Sequence, residues 1–356
     1  MSRFFTKTLE ELEPYVPGEQ PQNQKYIKLN TNENPYPPSP WVKEVLTADE
    51  ADKLRLYSDP TCKTLVDALS ARYDLEPDQI MLGNGSDEVL AFAVRAFCDE
   101  NTPLVFPDVT YGCYPIWASL NRIPTKIIPL EEDFSIDPAK YYNAGGTIVL
   151  ANPNAPTGMA LTRDQMEGIL KNNQENVVIV DEAYVDFGAE SCLNLIPYYD
   201  NLVVVQTFSK SHNLAGARVG YAMAQASLIG DLNRIKFSFH PYNINRLSML
   251  AAAASIQDVA YFRNCCEKII RTREETAKTL KEMGLEVLPS KANFLFARTD
   301  RILGADLYKS LKARGVLVRH FGKPRTAPYV RITIGTDEEM KAFLNILGDL
   351  LRGQGA

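Results

Sequence analysis

Lys210 lies in the segment TFSKSHNLAGARVGY, directly after an apolar run. Thr207 and Ser209 precede it, and Arg218 follows eight residues later. Hydroxyl groups and a guanidinium bind phosphate oxygens, and a neighbouring cation lowers the pKa of a lysine toward that of a nucleophilic amine. The segment therefore predicts a lysine that holds a phosphorylated ligand covalently. Ser-Lys alone is more typical of a surface lysine, so the prediction depends on the other segments.

Asp181 ends the apolar run VVIVD, and Tyr184 follows three residues later. A carboxylate at the end of a buried strand is costly unless it meets a cation. The protonated nitrogen of a pyridine ring is such a cation, and a carboxylate beside it keeps the ring an electron sink. Tyr184 could then donate to a phenolate oxygen on the ring. Metal ligation or a strand-end cap explains Asp181 alone equally well.

Three further segments follow apolar runs and suit a flat, phosphorylated ring. In GNGSDE, the backbone N–H groups of Gly85, Ser86 and Asp87 open a helix and form an anion site. In FPDVTYGCYP, Tyr111 can stack on a ring. In NPNAPTG, residues 152–158, two X-Pro bonds fix an irregular turn that suits a cis bond. Each segment is a weak indication alone, because glycine turns and buried aromatic residues are common.

These segments converge at one edge of a predicted sheet. Apolar runs at residues 147–151, 177–181 and 202–208 alternate with helical patterns, which predicts a mostly parallel sheet covered on both faces. Open α/β folds bind ligands at the carboxyl edge of such a sheet. Together the segments supply the contacts that pyridoxal 5′-phosphate (PLP) requires, with Lys210 as its Schiff-base lysine.

The remaining pattern predicts an α/β protein with a large sheet domain and a smaller α+β domain. Residues 1–40 are rich in Pro, Asn and Tyr and are expected to form an arm that joins the small domain. Residues 41–244 are expected to form the large PLP-binding domain, and residues 245–356 the small C-terminal domain. A charged amphipathic helix over residues 258–283, ended by Gly284, marks the change of pattern.

The segments SKSHNLAGARVGY and DEAY resemble those of fold-type-I aminotransferases, and within them the histidinol-phosphate aminotransferases. The resemblance runs from LNTNENPYPP near the start to YVRITIGT near the end. It implies transfer of an amino group between L-histidinol phosphate and 2-oxoglutarate. It also implies that Lys210 is the general acid and base, that Asp181 pairs with the ring nitrogen and that Tyr184 donates to the ring oxygen. An aromatic-amino-acid aminotransferase and a threonine-phosphate decarboxylase have a similar fold and are alternatives.

The same resemblance implies contacts with the phosphate of the cofactor from Ser86, Thr207, Ser209 and Arg218. Tyr111 resembles the aromatic residue that stacks on the ring. Tyr57, in RLYSDP, resembles the tyrosine that reaches the cofactor phosphate of a partner subunit, which implies a homodimer.

Two arginines resemble the substrate-binding residues of the family. Arg331, in VRITIGT, matches the arginine that forks onto a substrate carboxylate, for which a planar guanidinium is suited. Arg319, in VLVRHFG, resembles a second arginine that faces the substrate phosphate together with Tyr15 and Asn32. L-Histidinol phosphate has no carboxylate whereas glutamate has one, so one site must accept both anions. An ordinary surface cation after an edge strand is the alternative for Arg319.

Ala155 departs from the family pattern, which usually has Asn-Pro-Thr-Gly with that Asn bonded to the ring oxygen. Alanine cannot donate a hydrogen bond. We expect Asn154, the adjacent amide, to approach the ring instead. We also expect the lost contact to raise the pKa of the resting Schiff base slightly, because the phenolate oxygen is less stabilised.

Composition and spacing argue against other classes of function. The formal net charge is -6, and the short segment ahead of the first helix is not basic, which disfavours nucleic-acid binding and a PLP-fold transcription regulator. The missing G-x-G-x-x-G disfavours a nicotinamide dehydrogenase. Without a long apolar run or a signal-peptide pattern, we expect a cytoplasmic protein with no membrane partner. No metal site is expected, because neither the histidines nor the cysteines are spaced as ligands; Cys265 and Cys266 are adjacent, and we expect free thiols.

Overall fold

Runs of aliphatic and β-branched residues form the strands of the computed structural model, which describes residues 2–353. The strands are β1 (Ile27–Lys28), β2 (Ile80–Gly83), β3 (Leu104–Pro107), β4 (Thr125–Ile128), β5 (Thr147–Ala151), β6 (Val178–Asp181), β7 (Leu202–Thr207), β8 (Gly220–Ala224), β9 (Glu286–Val287), β10 (Phe294–Arg298), β11 (Val316–Leu317), β12 (Arg319–His320) and β13 (Val330–Thr333).

Several helices begin after a polar residue whose side chain caps them, such as Ser39, Thr47 and Thr162. The helices are α1 (Pro40–Val45), α2 (Ala48–Asp52), α3 (Lys63–Tyr73), α4 (Ser86–Phe97), α5 (Cys113–Asn121), α6 (Arg163–Lys171), α7 (Ala226–Phe239), α8 (Arg246–Gln257), α9 (Val259–Glu282), α10 (Gly304–Ala313) and α11 (Asp337–Gly353). Within residues 2–353, no helix combines the length and the apolar character that crossing a membrane requires.

The large domain contains a seven-stranded sheet in the order β2-β8-β7-β6-β5-β3-β4. Strands β7, β6, β5, β3 and β4 are parallel, whereas β8 is antiparallel to both of its neighbours. Along β6, Val178 and Val180 pack into the core on one face, and Ile179 packs into the core on the other. Because both faces are covered, the strand is apolar at successive positions until Asp181. The predicted α/β class is confirmed.

The smaller domain contains a four-stranded antiparallel sheet in the order β12-β13-β10-β9. The arm joins this domain because β1 pairs in parallel with β11. Residues 316–320 form two short strands rather than one, since β11 pairs with the arm while β12 pairs with β13.

Helix α8 belongs with the large domain, although we expected the small domain to begin at residue 245. Its buried residues, including Met249, Ala252 and Ile256, lie in the same core as one face of the seven-stranded sheet, and the helix packs on α1 and α3. The change of domain therefore falls at α9, whose N-cap Asp258 accepts a hydrogen bond from the backbone N–H of Tyr261. An alanine-rich helix buried on most sides has no polar face that would reveal its partner.

Arg273 on α9 ties the two domains together. Its side chain is only 2% exposed, and its Nη1 donates to the carbonyl oxygens of Phe187 (2.7 Å) and Ala292 (2.9 Å). Phe187 lies in the loop after β6, whereas Ala292 lies just before β10 of the small domain. One buried guanidinium thus satisfies a carbonyl oxygen from each domain.

We expect Arg273→Met to lower the free energy of unfolding by about 2–4 kcal/mol, because it leaves two buried carbonyl oxygens without donors. Urea denaturation followed by fluorescence measures this change. Arg271→Met is the matched control on the same helix, since Arg271 forms an exposed ion pair with Asp337 at 3.0 Å. Such a pair contributes about 1 kcal/mol or less. Equal losses in the two variants would contradict the bridging role.

Candidate active site

A cavity of about 230 Å³ lies at the carboxyl edge of the seven-stranded sheet. The arm, the large domain and the small domain all contribute to its walls. Most of the predicted site residues line it: Tyr15, Asn32, Ser86, Asp87, Tyr111, Asp181, Tyr184, Thr207, Ser209, Lys210, Arg218, Arg319 and Arg331. Gly85, Asn154 and Tyr57 lie outside the lining.

Lys210 follows β7 and extends its amine into this cavity. The Nζ atom donates to the carbonyl oxygen of Thr31 at 3.3 Å, while Asn34 of the arm donates to the carbonyl oxygen of Lys210 at 3.1 Å. Burial, aided by the positive charge of Arg331, lowers the pKa of Lys210 to about 8. An amine with this pKa is deprotonated far more readily than an exposed lysine, as a nucleophile or base requires.

Asp181 ends β6 with its side chain buried at the base of the cavity. It accepts hydrogen bonds from the Tyr114 hydroxyl at 2.8 Å and from the Ala183 backbone N–H at 3.2 Å. Burial nevertheless raises the pKa of Asp181 to about 6, with these hydrogen bonds acting in the opposite direction. The carboxylate is therefore incompletely compensated, and a cation in the cavity would stabilise it. Tyr114 was not predicted as a site residue, because nothing in the sequence places it near Asp181.

An anion-binding corner lies where α4 begins. Ser86 and Asp87 form its first turn, whose backbone N–H groups have no partners within the helix. Arg218 approaches closely: a Cβ at Gly85, where φ is +82°, would lie 2.4 Å from its Nη2. Nη1 of Arg218 donates to the Ser209 hydroxyl at 3.3 Å, and Nη2 pairs with Asp87 at 3.0 Å. Only glycine at position 85 allows the guanidinium to close over this helix terminus.

Two tyrosines, Tyr184 and Tyr111, line the cavity. The ring of Tyr184 packs edge-on against Phe294, and Lys210 Nζ lies 5.7 Å from its centroid. Burial raises the pKa of Tyr184, an effect opposed by Arg331 and by a hydrogen bond from Asn32. Tyr111 donates to Asp87 at 2.8 Å, which fixes the plane of its ring.

Two guanidinium groups line the side of the cavity nearest the arm and the small domain. Arg331 donates from Nη2 to the carbonyl oxygen of Asn30 at 3.0 Å, and its buried Nε has no hydrogen-bond partner in the described chain. Arg319 donates to the carbonyl oxygens of Val16 (2.7 Å) and Pro17 (3.1 Å). Both arginines, together with Tyr15, also line an adjoining groove of about 670 Å³. The cavity therefore offers two positive groups to an anionic molecule.

Asn154 does not line the cavity, which argues against its expected approach to the ring. Its Nδ2 donates to the Val109 carbonyl oxygen at 2.9 Å, and its Oδ1 accepts from the Thr110 hydroxyl at 2.9 Å. The side chain holds the neighbouring loop in place and is turned away from the cavity. Ala155 itself lines the cavity with its methyl group, in a turn with cis bonds before Pro153 and Pro156.

Tyr57 also lies away from the cavity of its own chain. Its side chain is 83% exposed, and its ring stacks on Tyr242 with centroids 4.5 Å apart. The described chain thus presents an exposed pair of aromatic rings and gives Tyr57 no place in its own site.

The family of this chain is established by a match to a family model. The model for aminotransferase class I and II matches residues 24–347. The chain belongs to this family. It is an aminotransferase, and its cofactor is PLP.

Two relatives similar to this aminotransferase over nearly its full length are histidinol-phosphate aminotransferases. The histidinol-phosphate aminotransferase of Marinomonas sp. is 51% identical over 353 residues, covering 98% of this chain and all of the relative. That of Acinetobacter baylyi is 50% identical over 348 residues, covering 97% of this chain and 96% of the relative.

Solved structures show the same fold. The histidinol-phosphate aminotransferase from Sinorhizobium meliloti, solved in complex with PLP, has a TM-score of 0.88, with 23% identity and 99% of each chain covered. The L-threonine-O-3-phosphate decarboxylase from Porphyromonas gingivalis has a TM-score of 0.79, with 24% identity, covering 91% of this chain and 99% of that one. The fold alone therefore does not separate these two functions.

The cavity of this aminotransferase fits PLP in two respects. The corner formed by α4, Ser209 and Arg218 presents hydrogen-bond donors to a phosphate, and a Cβ at Gly85 would fill it. At the base of the cavity, the buried Asp181 is the partner that a protonated pyridine nitrogen requires. Lys210 lies in the same cavity with a lowered pKa, as a lysine that bonds to an aldehyde must.

We expect Asp181→Asn to stabilise the apoenzyme and to reduce activity by roughly 100-fold or more. Because burial raises the pKa of Asp181 from 3.8 to about 6, the carboxyl binds its proton more tightly in the folded state. The buried carboxylate therefore lowers the free energy of unfolding by the full amount above about pH 6 and does not lower it below about pH 4. The unfolding free energy of the variant should exceed that of the wild type by roughly 1–3 kcal/mol at pH 8.

Urea denaturation of both apoenzymes at pH 8 and again near pH 4.5 measures this difference, which should shrink at the lower pH. Asp181→Glu keeps the charge and serves as the control. Equal stability of Asp181→Asn and the wild type at pH 8 would show that burial of this carboxylate has no net cost.

Proposed function

We propose that this aminotransferase transfers an amino group between L-histidinol phosphate and 2-oxoglutarate, giving imidazole acetol phosphate and L-glutamate in histidine biosynthesis. The observation that carries the proposal is the pair of guanidinium groups, Arg331 and Arg319, on one cavity beside Lys210. The names of relatives about 50% identical over almost the whole chain agree with this proposal.

The two arginines are suited to two different anions. Arg331 is half-buried and its buried Nε is unpaired, so it can fork onto a carboxylate inside the cavity. Arg319 lies on the groove side, held by carbonyl oxygens of the arm, and leaves further N–H groups for a phosphate. Tyr15 and Asn32 line the same space and are the proposed companions of Arg319. Histidinol phosphate and glutamate can then occupy the site in turn.

When bound, PLP supplies a pyridinium ring that withdraws electrons from the substrate Cα. Lys210 Nζ would hold the cofactor and would move the proton at the substrate Cα, for which its lowered pKa is suited. Asp181 would hold a proton on the pyridine nitrogen. Tyr184 would donate to the ring oxygen, and Tyr111 would cover one face of the ring.

The cofactor phosphate would be held by the first turn of α4 and by the hydroxyl and guanidinium groups beside it. These groups are Gly85, Ser86, Asp87, Thr207, Ser209 and Arg218. Asp87 acts mainly through Arg218 and Tyr111, since it binds both. Its charge orients those two side chains toward the cavity.

A homodimer completes the proposed site, with Tyr57 reaching the phosphate bound by the partner subunit. The exposure of Tyr57 and its stacking on Tyr242 support this role, because the pair is solvent-exposed in a single chain. Such large exposed aromatic groups are typical of interfaces. We further propose a cytoplasmic location, which the six buried, unpaired cysteines support.

We expect Arg319→Gln to lower kcat/KM for L-histidinol phosphate by about 10- to 100-fold, as the loss of one charged hydrogen-bonding group does. For L-histidinol without the phosphate the change should stay below about threefold. Steady-state assays with 2-oxoglutarate as acceptor measure both values.

Phenylalanine and threonine phosphate, tested in parallel with the wild type, examine the alternative functions. Turnover of phenylalanine without turnover of histidinol phosphate would identify an aromatic-amino-acid aminotransferase. Release of carbon dioxide from threonine phosphate would identify a decarboxylase.

Hybrid dimers test the role of Tyr57. We expect Lys210→Ala to be inactive and Tyr57→Phe to be at least about tenfold impaired. A hybrid of the two has one site with both native residues, because Tyr57 comes from the Lys210→Ala subunit. Co-expression in equal amounts should therefore restore about a quarter of wild-type activity, since half of the dimers are hybrids with one native site. Activity no higher than that of Tyr57→Phe alone would place Tyr57 outside the partner's site.

A further inference from the structure

The side chain of Asn32 is held in one orientation between the arm and the small domain. The residue is 1% exposed and has a φ of +57°, in the left-handed region that asparagine and glycine tolerate best. Its backbone N–H donates to the Thr333 hydroxyl oxygen at 3.0 Å, and that hydroxyl donates in turn to Asn32 Oδ1 at 3.0 Å. Asn293 donates to the Asn32 carbonyl oxygen at 3.0 Å.

The bonds to Thr333 settle which end of the Asn32 amide faces the cavity. The hydroxyl of Thr333 has one hydrogen, and Asn32 Oδ1 accepts it. If the amide were reversed, Nδ2 and the backbone N–H of Asn32 would both point at the same hydroxyl oxygen, and its hydrogen would lose this acceptor. Nδ2 therefore points toward Tyr184, and it donates to the hydroxyl oxygen at 2.9 Å.

Donation from Asn32 determines what the Tyr184 hydroxyl can do. Its oxygen accepts from Nδ2, and within the described chain its hydrogen has no acceptor. The hydrogen is thus free for an acceptor in the cavity that Tyr184 lines. A hydroxyl that accepts one hydrogen bond also donates more strongly, because the chain of bonds polarises it.

The Tyr184 hydroxyl matters more in this chain because of Ala155. Ala155 lines the same cavity and packs with Phe294 and Tyr184, but it contributes only a methyl group. A ring oxygen bound here has no donor from position 155, so its stabilisation depends more heavily on Tyr184.

We propose that Asn32 and Thr333 are positioning residues that direct the Tyr184 hydroxyl hydrogen onto the ring oxygen of the cofactor, in place of the donor that Ala155 lacks. The inference rests on the proposed function only in assigning the ring oxygen to Tyr184. Asn32 then has a role besides the substrate contact expected from the sequence. Thr333, which the sequence did not single out, acts through Asn32.

The test uses the holoenzyme and follows its visible absorption as a function of pH, without substrate. Asn32→Gly removes the amide and suits the left-handed backbone. Thr333→Val removes the hydroxyl at nearly constant shape, and Thr333→Ser is the matched control that keeps it. The charged and titratable groups around Tyr184 stay unchanged in these variants; they are Lys210, Arg331, Asp181, Asp87, Tyr15 and Tyr114.

The midpoint of the absorption change with pH reports the pKa of the resting Schiff base. We expect this midpoint to rise by about 0.5 to 1 unit in Asn32→Gly and in Thr333→Val, the size of shift that loss of one neutral hydrogen bond gives. Thr333→Ser should keep the wild-type midpoint. Because all three residues act on one bond, adding Asn32→Gly to Tyr184→Phe should shift the midpoint no further than Tyr184→Phe alone. Dissociation constants for PLP, measured by fluorescence, should follow the same order.

Two outcomes would overturn the inference, and they differ in what they leave standing. If Tyr184→Phe shifts the midpoint while Asn32→Gly and Thr333→Val do not, Tyr184 keeps its proposed role and the positioning residues lose theirs. If Tyr184→Phe leaves the midpoint unchanged, the assignment of the ring oxygen to Tyr184 fails and the inference fails with it. Neither result bears on which substrate the enzyme takes.

Discussion

Four positive side chains share one cavity, and the repulsion among them governs how the site is built; they are Lys210, Arg218, Arg319 and Arg331. Arg331 and Arg218 both lower the pKa of Lys210, in addition to the larger effect of burial, while Asp87 and Glu33 act in the opposite direction. Removing such charges from water is expensive unless oxygen atoms replace the lost solvent. A molecule that brings a phosphate or a carboxylate supplies those oxygens, so the cavity is predisposed to bind anions.

The arm supplies part of this compensation through its backbone. Lys210 donates to the carbonyl oxygen of Thr31, and Arg331 donates to that of Asn30. Farther toward the N-terminus, carbonyl oxygens of the arm accept from Arg319. Carbonyl oxygens carry partial negative charge without a proton to lose, so they hold the cations without titrating. The arm, although it has little regular structure, thus stabilises the positive side chains of the cavity.

The strands that carry the candidate site can be predicted from local pattern. The Val- and Ile-rich composition of β5, β6 and β7 predicts buried strands, and the position of Asp181 follows from where β6 ends. In each case residues close together in the chain determine the structure, so the sequence is sufficient.

The errors and omissions concern contacts between distant segments or the orientation of single side chains. Asn154 was expected at the ring because it neighbours Ala155. Its amide instead forms hydrogen bonds with the carbonyl oxygen of Val109 and the hydroxyl of Thr110. The bond from Asn32 to Tyr184 joins residues 152 positions apart, and no periodicity encodes it. Helix α8 was misplaced because its alanine-rich surface fits more than one neighbour.

The carbonyl oxygen of Thr31 and the amine of Lys210 are 179 positions apart, and Asn30 and Arg331 are 301 apart. Such separations delay the assembly of the site during folding, because the entropy of closing long loops is lost before the compensating contacts can form. On the ribosome, a nascent chain that has not yet exposed β13 lacks Arg331 and Thr333, however well its large sheet has formed. A complete binding cavity is therefore a late product of synthesis, and PLP stabilises the finished native state more than any partly made chain.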